Sequence, residues 1–346
     1  MHDSSGLCNQ HGTYLNTATY GLPPTPAFDA TIAALEDWRT GRTGEDAWEA
    51  STERARATFA RLIGVAPTDI AVGATVSELI GLIAASVPDG ARVLTAANDF
   101  SSTIFPFAAH EARGVRIDCV PLADIANAVT SSHAMVVLSH VQAQSGEVAD
   151  LAAIIARCKQ TGTQLCVDGT QSCGWLPTNA REIDYYIVHA YKWLLSPRGS
   201  AFMADRRERL SSIVPLHAGW YATEDPNNNL FGLPSRISTD TARRLDTSPA
   251  WFSWVGTAVA LELIESIGVE RIYAHDMALA SRFCEALDLP GPASPIVYLG
   301  SDDGFAKLLE AGVRASVRAG RVRVSFHIYN TADDVARAVG ALASAV

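Results

Sequence analysis

Lys192 follows the apolar run Tyr185-Tyr186-Ile187-Val188, and Asp168 closes a second such run, Gln164-Leu165-Cys166-Val167. Short apolar runs of this kind read as buried strands. Two such strands, each ending in one ionisable residue, bring an amine and a carboxylate to the rim of one sheet. That is the layout a pyridoxal 5'-phosphate (PLP) enzyme needs: the lysine forms a Schiff base with the aldehyde, and the aspartate pairs with the pyridinium nitrogen so that the ring acts as an electron sink. Taken without their surroundings, the same two residues are a surface lysine after a strand and an aspartate capping a helix. Gly73-Ala74-Thr75-Val76-Ser77 lies between a short strand-like run and a helical stretch. The amides of that first turn and the Thr75 hydroxyl could hold a phosphate, although an ordinary N-cap has the same composition.

The elements that must position these groups show in the apolar patterning. Pro26 to Gly64 reads as helix, with Trp48, Ser51, Ala55, Phe59 and Leu62 on one face and Gly64 as its end. Strand-like runs then alternate with helical stretches: 70–72 then 76–86, 92–95 then 103–112, and 135–138 then 149–160. Such alternation predicts an α/β fold with a mainly parallel sheet covered on both faces. Pro215 to Pro249 is poorly patterned and predicts long loops near the site. Trp251 to Ile267 is a helical run expected to leave the large domain, and the remainder reads as a small domain of strand, helix, strand, helix. No GxGxxG follows the first strand, which weakens a dinucleotide-binding alternative.

The 346 residues, 48% of them hydrophobic, suffice for one large and one smaller domain with buried cores. A net charge of −10 argues against nucleic acid or an anionic membrane as partner. Met1 to Gly6 lacks a basic patch followed by an apolar core, and no run approaches eighteen apolar residues. A soluble, cytoplasmic protein is expected. The six cysteines are scattered without a Cys-x-x-Cys pair, so neither a disulfide framework nor a metal site is expected.

Val167-Asp168-Gly169-Thr170-Gln171-Ser172-Cys173-Gly174, Asp184, Lys192 and Ser196-Pro197-Arg198-Gly199 together resemble the class V aminotransferase family, which includes cysteine desulfurases, kynureninases and isopenicillin N epimerase-like enzymes. The resemblance runs from Tyr14-Leu15-Asn16-Thr17 to Phe326-His327-Ile328-Tyr329-Asn330-Thr331. It implies the PLP-dependent transferase fold type I: a sheet of the mainly parallel seven-stranded type flanked by helices, plus a small C-terminal α+β domain. The division implied is an N-terminal segment lining the site (1–25), a large PLP-binding domain (26–255) and a small domain (256–346).

The resemblance assigns roles residue by residue. Lys192 and Asp168 are the catalytic pair. Ala74, Thr75, His189 and Tyr191 fall on the phosphate side, and Ser248 reaches the phosphate from the partner subunit of a homodimer. Phe100 stacks on the cofactor ring, with Ser101 as the alternative if the match shifts by one. Gln142 and Gln171 approach the phenolic oxygen. Arg323 grips the substrate α-carboxylate, since a guanidinium fork matches a carboxylate as no lysine does, and Tyr20 and Trp220 join it on the substrate side. Arg318 and Arg321 project differently and are expected to be solvated.

A desulfurase needs a nucleophilic cysteine on a mobile loop shortly before that arginine. Here Val317-Arg318-Ala319-Gly320 runs almost directly into Arg323, and no cysteine lies between Arg314 and Val346. The reading that remains is a PLP-dependent lyase acting on a cysteine-type amino acid by α,β-elimination. Its alternatives are an aminotransferase or epimerase and, in another class, a PLP-binding protein without turnover.

Overall fold

The computed structural model describes residues 7–8, 11–42, 44–206, 212–228, 230–233, 237–238, 240–300 and 302–343. Its centre is a seven-stranded sheet in the order β2-β8-β7-β6-β5-β3-β4. These strands are β2 (Ile70–Gly73), β3 (Arg92–Ala96), β4 (Arg116–Val120), β5 (Met135–Ser139), β6 (Gln164–Asp168), β7 (Tyr185–His189) and β8 (Ala201–Asp205). Only β8 runs antiparallel to its neighbours. The inner strands are buried on both faces, which is why they read as continuous apolar runs rather than as alternation. β4 and β8 were not expected. β4 is a half-exposed edge strand with Arg116, Asp118 and Cys119 in it.

The single helix expected from Pro26 to Gly64 is two, α1 (Thr25–Arg39) and α2 (Glu45–Ile63). They break where Gly41 takes a φ of 74°. Gly64 does end α2, in the left-handed conformation. α3 (Val76–Ser86), α4 (Ser101–Ala108), the short α5 (Ile125–Ala128) and α6 (Leu151–Thr161) follow their strands as βα units. α2 turns Trp48, Ser51, Ala55 and Phe59 inward, and Phe59 stacks on Phe202 of β8 with ring centroids 4.3 Å apart.

α7 (Trp251–Ile267) is unbroken across the division expected at 255–256, and it packs along α1 and α2 as part of the large layer. The chain leaves at Gly268, where α8 (Val269–Ala286) bends away by 81°. Beyond it lie β9 (Ile296–Tyr298), α9 (Gly304–Glu310), β10 (Val313–Arg314), β11 (Ser316–Arg318), β12 (Arg321–Ser325) and α10 (Ala332–Ala343). β11, β12 and β9 form a small antiparallel sheet. The N-terminal strand β1 (Thr13–Tyr14) pairs in parallel with β10, so the start of the chain belongs to this smaller unit as well as to the site. Residues 1–6 and 9–10 of the expected N-terminal segment lie outside the described residues. Among the described residues no single helix is long and apolar enough to cross a membrane, and no cluster of three metal-ligating side chains occurs.

A buried ion pair fastens the layers. Arg56 of α2 meets Asp246 at 2.7 Å and the Ile70 carbonyl at 2.5 Å, while Asp246 also accepts the Val72 amide at 2.8 Å. Asp246→Ala should cost about 3–5 kcal/mol in urea unfolding, because it strands a buried guanidinium. Glu262→Ala, which breaks the exposed Arg54 pair, should cost under about 1 kcal/mol. Equal losses would show that the buried pair is not the fastening.

Candidate active site

The site lies at the carboxyl edge of the parallel strands, where such sheets present their loops. β6 delivers Asp168, β7 delivers His189 and then the turn with Lys192, and β5 ends at Ser139. An inner cavity of about 150 Å³ is lined by Thr75, Val76, Ser77, Asp168, His189 and Lys192 among others. It opens into an outer cavity of about 410 Å³ that includes Thr19, Tyr20, Arg318 and Arg323. Phe100, Gln171, Tyr191, Lys192 and Arg198 border both.

Lys192 is 6% exposed. Burial lowers its pKa to about 7 against the opposing pull of Asp168, and the charges of Arg323, Arg318 and Arg198 push the same way as burial. The amine is therefore largely free base just above neutrality. Two glycines make room for its turn. Gly21 donates its amide to the Tyr191 carbonyl at 2.9 Å, and a Cβ there would stand 2.1 Å from the Lys192 carbonyl oxygen. Gly174, at φ 112°, would put a Cβ 2.4 Å from the Trp193 oxygen. His327 adds a brace from the small unit, its ring lying 3.0 Å from the Trp193 carbonyl and 2.8 Å from Asp276.

Asp168 is buried and accepts the Thr170 amide at 2.8 Å and the Thr103 hydroxyl at 3.2 Å. Burial raises its pKa, and the Thr170 hydrogen bonds and the Lys192 charge oppose that rise. His189 also faces the inner cavity. Its Nε2 is buried without a hydrogen-bond partner, and burial lowers its pKa to about 3, so the ring is neutral. A buried ring nitrogen without a protein partner, aimed into a polar cavity, fits an absent ligand oxygen.

The start of α3 departs in part from expectation. Glu78 closes a capping box with Thr75 and accepts the Ala74 amide at 2.8 Å and the Thr75 amide at 3.3 Å. Ala74 does not line the cavity. The amides of Val76 and Ser77 open the helix, have no intrahelical acceptor, and border the inner cavity.

Phe100 lines both cavities, with its ring centroid 5.4 Å from Lys192 Nζ. Ser101 borders only the outer cavity and Ser102 only the inner one. Neither glutamine is free as placed. Gln142 lines neither cavity and donates to Asp99 at 3.1 Å, pinning the turn before Phe100. Gln171 lines both, but its amide donates to the Ala18 carbonyl at 2.9 Å and its oxygen accepts Trp193 Nε1 at 2.9 Å. Ser248 is exposed and borders neither cavity of the single chain. Trp220 packs against Tyr221 and the large core, also away from both.

Arg323 is 3% exposed and held by neutral acceptors: Thr19 Oγ1 at 2.5 Å, the Ala143 carbonyl at 2.8 Å and Ser316 Oγ at 3.3 Å. Tyr20, bordering the same cavity, accepts the Arg198 amide at 3.2 Å. Arg318 was expected to be merely solvated. It is exposed, yet it lines the outer cavity and reaches the same Thr19 hydroxyl at 3.3 Å. Sequence reasoning also passed over Arg198, Thr19, Thr103 and Ser139. Arg198 stood in a quoted motif, and Ser139 closes the apolar run 135–138 as Asp168 closes its own.

The class-V aminotransferase family model matches residues 36–293. In sequence the chain is 26% identical over 317 residues to an uncharacterized aminotransferase of Bacillus subtilis, covering 85% of this chain and 83% of that protein. It is 25% identical to the isopenicillin N epimerase of Streptomyces clavuligerus, covering 95% and 93%. In structure it is similar to a cystine C–S lyase solved with its product cysteine persulfide, at TM-score 0.87 and 23% identity over 98% of both chains. A cysteine desulfurase of Thermococcus onnurineus matches at TM-score 0.82 and 21% identity, over 95% of this chain and 93% of that one. These two likenesses establish the fold.

The acidity of Lys192 can be read directly. The chain has two other lysines, Lys159 and Lys307, and neither borders the cavities. Borohydride reduction after PLP is added should label Lys192, with the labelling rate of cofactor-free protein rising through pH about 7. A label on Lys159 or Lys307 alone would overturn the assignment.

Proposed function

The chain belongs to the class-V aminotransferase family of PLP-dependent enzymes, and on that premise we propose that it is a lyase cleaving the carbon–sulfur bond of a cysteine-type amino acid by α,β-elimination. The observation that carries this reading is that Lys192, shifted by burial toward its free base, shares one cavity with the buried Arg323, where no lining residue is a thiol. Among the residues lining both cavities there is no cysteine. Cys166 and Cys173 lie buried on either side of Asp168 in sequence, and burial raises both thiols, Cys173 to about 12. The two residues joining β11 to β12, Ala319 and Gly320, form a tight left-handed turn, leaving no loop to carry a sulfur acceptor.

The residues fit the cofactor. The Thr75 hydroxyl, the Val76 and Ser77 amides, His189 Nε2 and Tyr191 would hold its phosphate, Asp168 its ring nitrogen and Phe100 one ring face. When bound, PLP stabilises negative charge developing at the substrate Cα. Arg323, anchored by Thr19, Ala143 and Ser316 with the Tyr298 hydroxyl beside it, would turn its remaining N–H groups to the α-carboxylate. That grip fixes which Cα bond faces Lys192. Lys192, as free base, takes the Cα proton, and the sulfur leaves from Cβ as a thiol. With one water the balance is thiol, pyruvate and ammonia. The working unit in this proposal is a homodimer, with the exposed Ser248 reaching the partner's phosphate site. In an aminotransferase or epimerase the same groups act, and the proton taken by Lys192 returns to carbon.

Incubating the holoenzyme with amino acids and cysteine conjugates should release pyruvate and ammonia in equal amounts from the conjugates. Conversion of the cofactor to its amine form with a keto acid product would favour the aminotransferase. Asp168→Asn should retain the cofactor while kcat falls by about a hundredfold, the scale of losing a preorganised electrostatic partner. Activity within a few-fold of the parent would make Asp168 structural.

Arg323→Ala should weaken substrate binding by roughly 2–5 kcal/mol and raise KM steeply, without loss of cofactor, and Arg323→Lys should recover part. Arg321 bonds the Leu299 carbonyl and lies over the Tyr298 ring, so Arg321→Ala is the mild control. If both alanine variants behave alike, Arg323 is not the clamp.

A further inference from the structure

The outer cavity carries more positive charge than one α-carboxylate requires. Arg198, Arg318 and Arg323 all border it, and among the described residues none of the three is ion-paired with a carboxylate. Asp99 is the one acid on its lining, and its oxygens are taken by the Phe100 amide at 2.6 Å and the Ser139 amide at 2.7 Å. Arg198 also borders the inner cavity beside Thr75 and Ser77, with its guanidinium 4.8 Å over the Tyr191 ring, so its charge falls on the phosphate side. Arg318 borders only the outer cavity.

The donors on the two remaining arginines can be counted. Arg323 gives N–H groups to Thr19, Ala143 and Ser316 and has the Tyr298 hydroxyl beside it as well, so what it has left serves one carboxylate at most. Arg318 spends one on its own strand at the Val317 carbonyl and one on Thr19 Oγ1, and keeps three. Both guanidiniums therefore converge on a single hydroxyl. The hairpin also sets Arg318 directly opposite Arg321, and like charges facing across a strand pair are destabilising. Arg321 turns to the Leu299 carbonyl and the Tyr298 ring, and among the described residues no carboxylate pairs with Arg318. A bound anion would.

We infer that Arg318 forms an anion subsite distinct from the α-carboxylate clamp, and that the substrate is an amino acid whose β-substituent carries an acidic group of its own. This rests on the proposed lyase reading, and it narrows the substrate class to cysteine conjugates with a second carboxylate or an equivalent oxyanion. Arg323 holds the α-carboxylate against the buried side of the cavity. Arg318, at the exposed tip of the hairpin, meets the leaving group's acid where it emerges.

The test is equilibrium binding, read by calorimetry on the holoenzyme. The probes are α-methyl-S-carboxymethyl-cysteine and its carboxamide, S-carbamoylmethyl, counterpart, which have no Cα proton to lose. The parent should bind the acid about tenfold more tightly than the amide, the worth of one charge-assisted hydrogen bond, and the ratio should shrink as salt is added. Arg318→Gln should bring the ratio to about one, and Arg318→Glu should invert it. Arg323→Gln should weaken both probes together. A ratio near one in the parent, or one that survives Arg318→Gln, overturns the inference while the lyase reading stands. If neither probe binds the parent, the cysteine-conjugate reading falls and the inference falls with it.

Discussion

Burying the Lys192 amine is the constraint from which the rest of the site follows. A lysine held 6% exposed cannot keep its full charge cheaply, so it turns to the neutral form that can act on carbon and on an aldehyde. Burial in turn demands a rigid turn with no slack. Glycines at 21 and 174 let the backbone of the first segment and of the Asp168 loop close against the carbonyls of Lys192 and Trp193. Trp193 sends its ring nitrogen to Gln171, which lies three residues past Asp168. The amine and the carboxylate are thus fixed relative to one another by a tryptophan and a glutamine rather than by direct contact.

Electrostatics around that amine is arranged in two zones. On the inner side Arg198 is the one guanidinium, beside His189 uncharged, Asp168 buried, and amides at a helix start. On the outer side three guanidiniums face a single acid, Asp99, whose oxygens are already taken. Their field lowers the Lys192 pKa further, and it would draw an anionic amino acid inward. The same charges therefore serve deprotonation and recruitment.

Much of this was legible in the chain and some was not, for physical reasons. β5, β6 and β7 announced themselves because strands buried on both faces are apolar throughout, and Lys192 and Asp168 were visible as the polar residues that end or follow such runs. β4 was hidden because an edge strand carries Arg116 and Asp118 like a loop, and β8 because two of its five residues are alanines. The break between α1 and α2 was concealed by periodicity that resumes in nearly the same phase. Gln142 and Gln171 show a deeper limit. Their amides look like ligand donors in sequence, and only the tertiary fold reveals that Asp99, Ala18 and Trp193 already hold them. Arg318 erred in the opposite direction: alternation along a strand says which face a side chain leaves, but not that a threonine from the other end of the chain waits beside it.

That threonine belongs to a segment with an unusual history. Thr13 bonds Asp334 across 321 residues, β1 pairs with β10, and Gly21 closes on Tyr191. Thr13 and Tyr14 are thus made long before their partners, since β10 and α10 must be synthesised before β1 can dock. A contact of such sequence separation is slow to close. A nascent chain could assemble its large sheet, with Gly21 and Tyr20 against Tyr191 and Arg198, while Thr19 still waits for Arg323. The substrate side of the cavity is therefore completed after the cofactor side, and a chain truncated before β12 would have a lysine and a cradle but no Arg323 for Thr19 to meet.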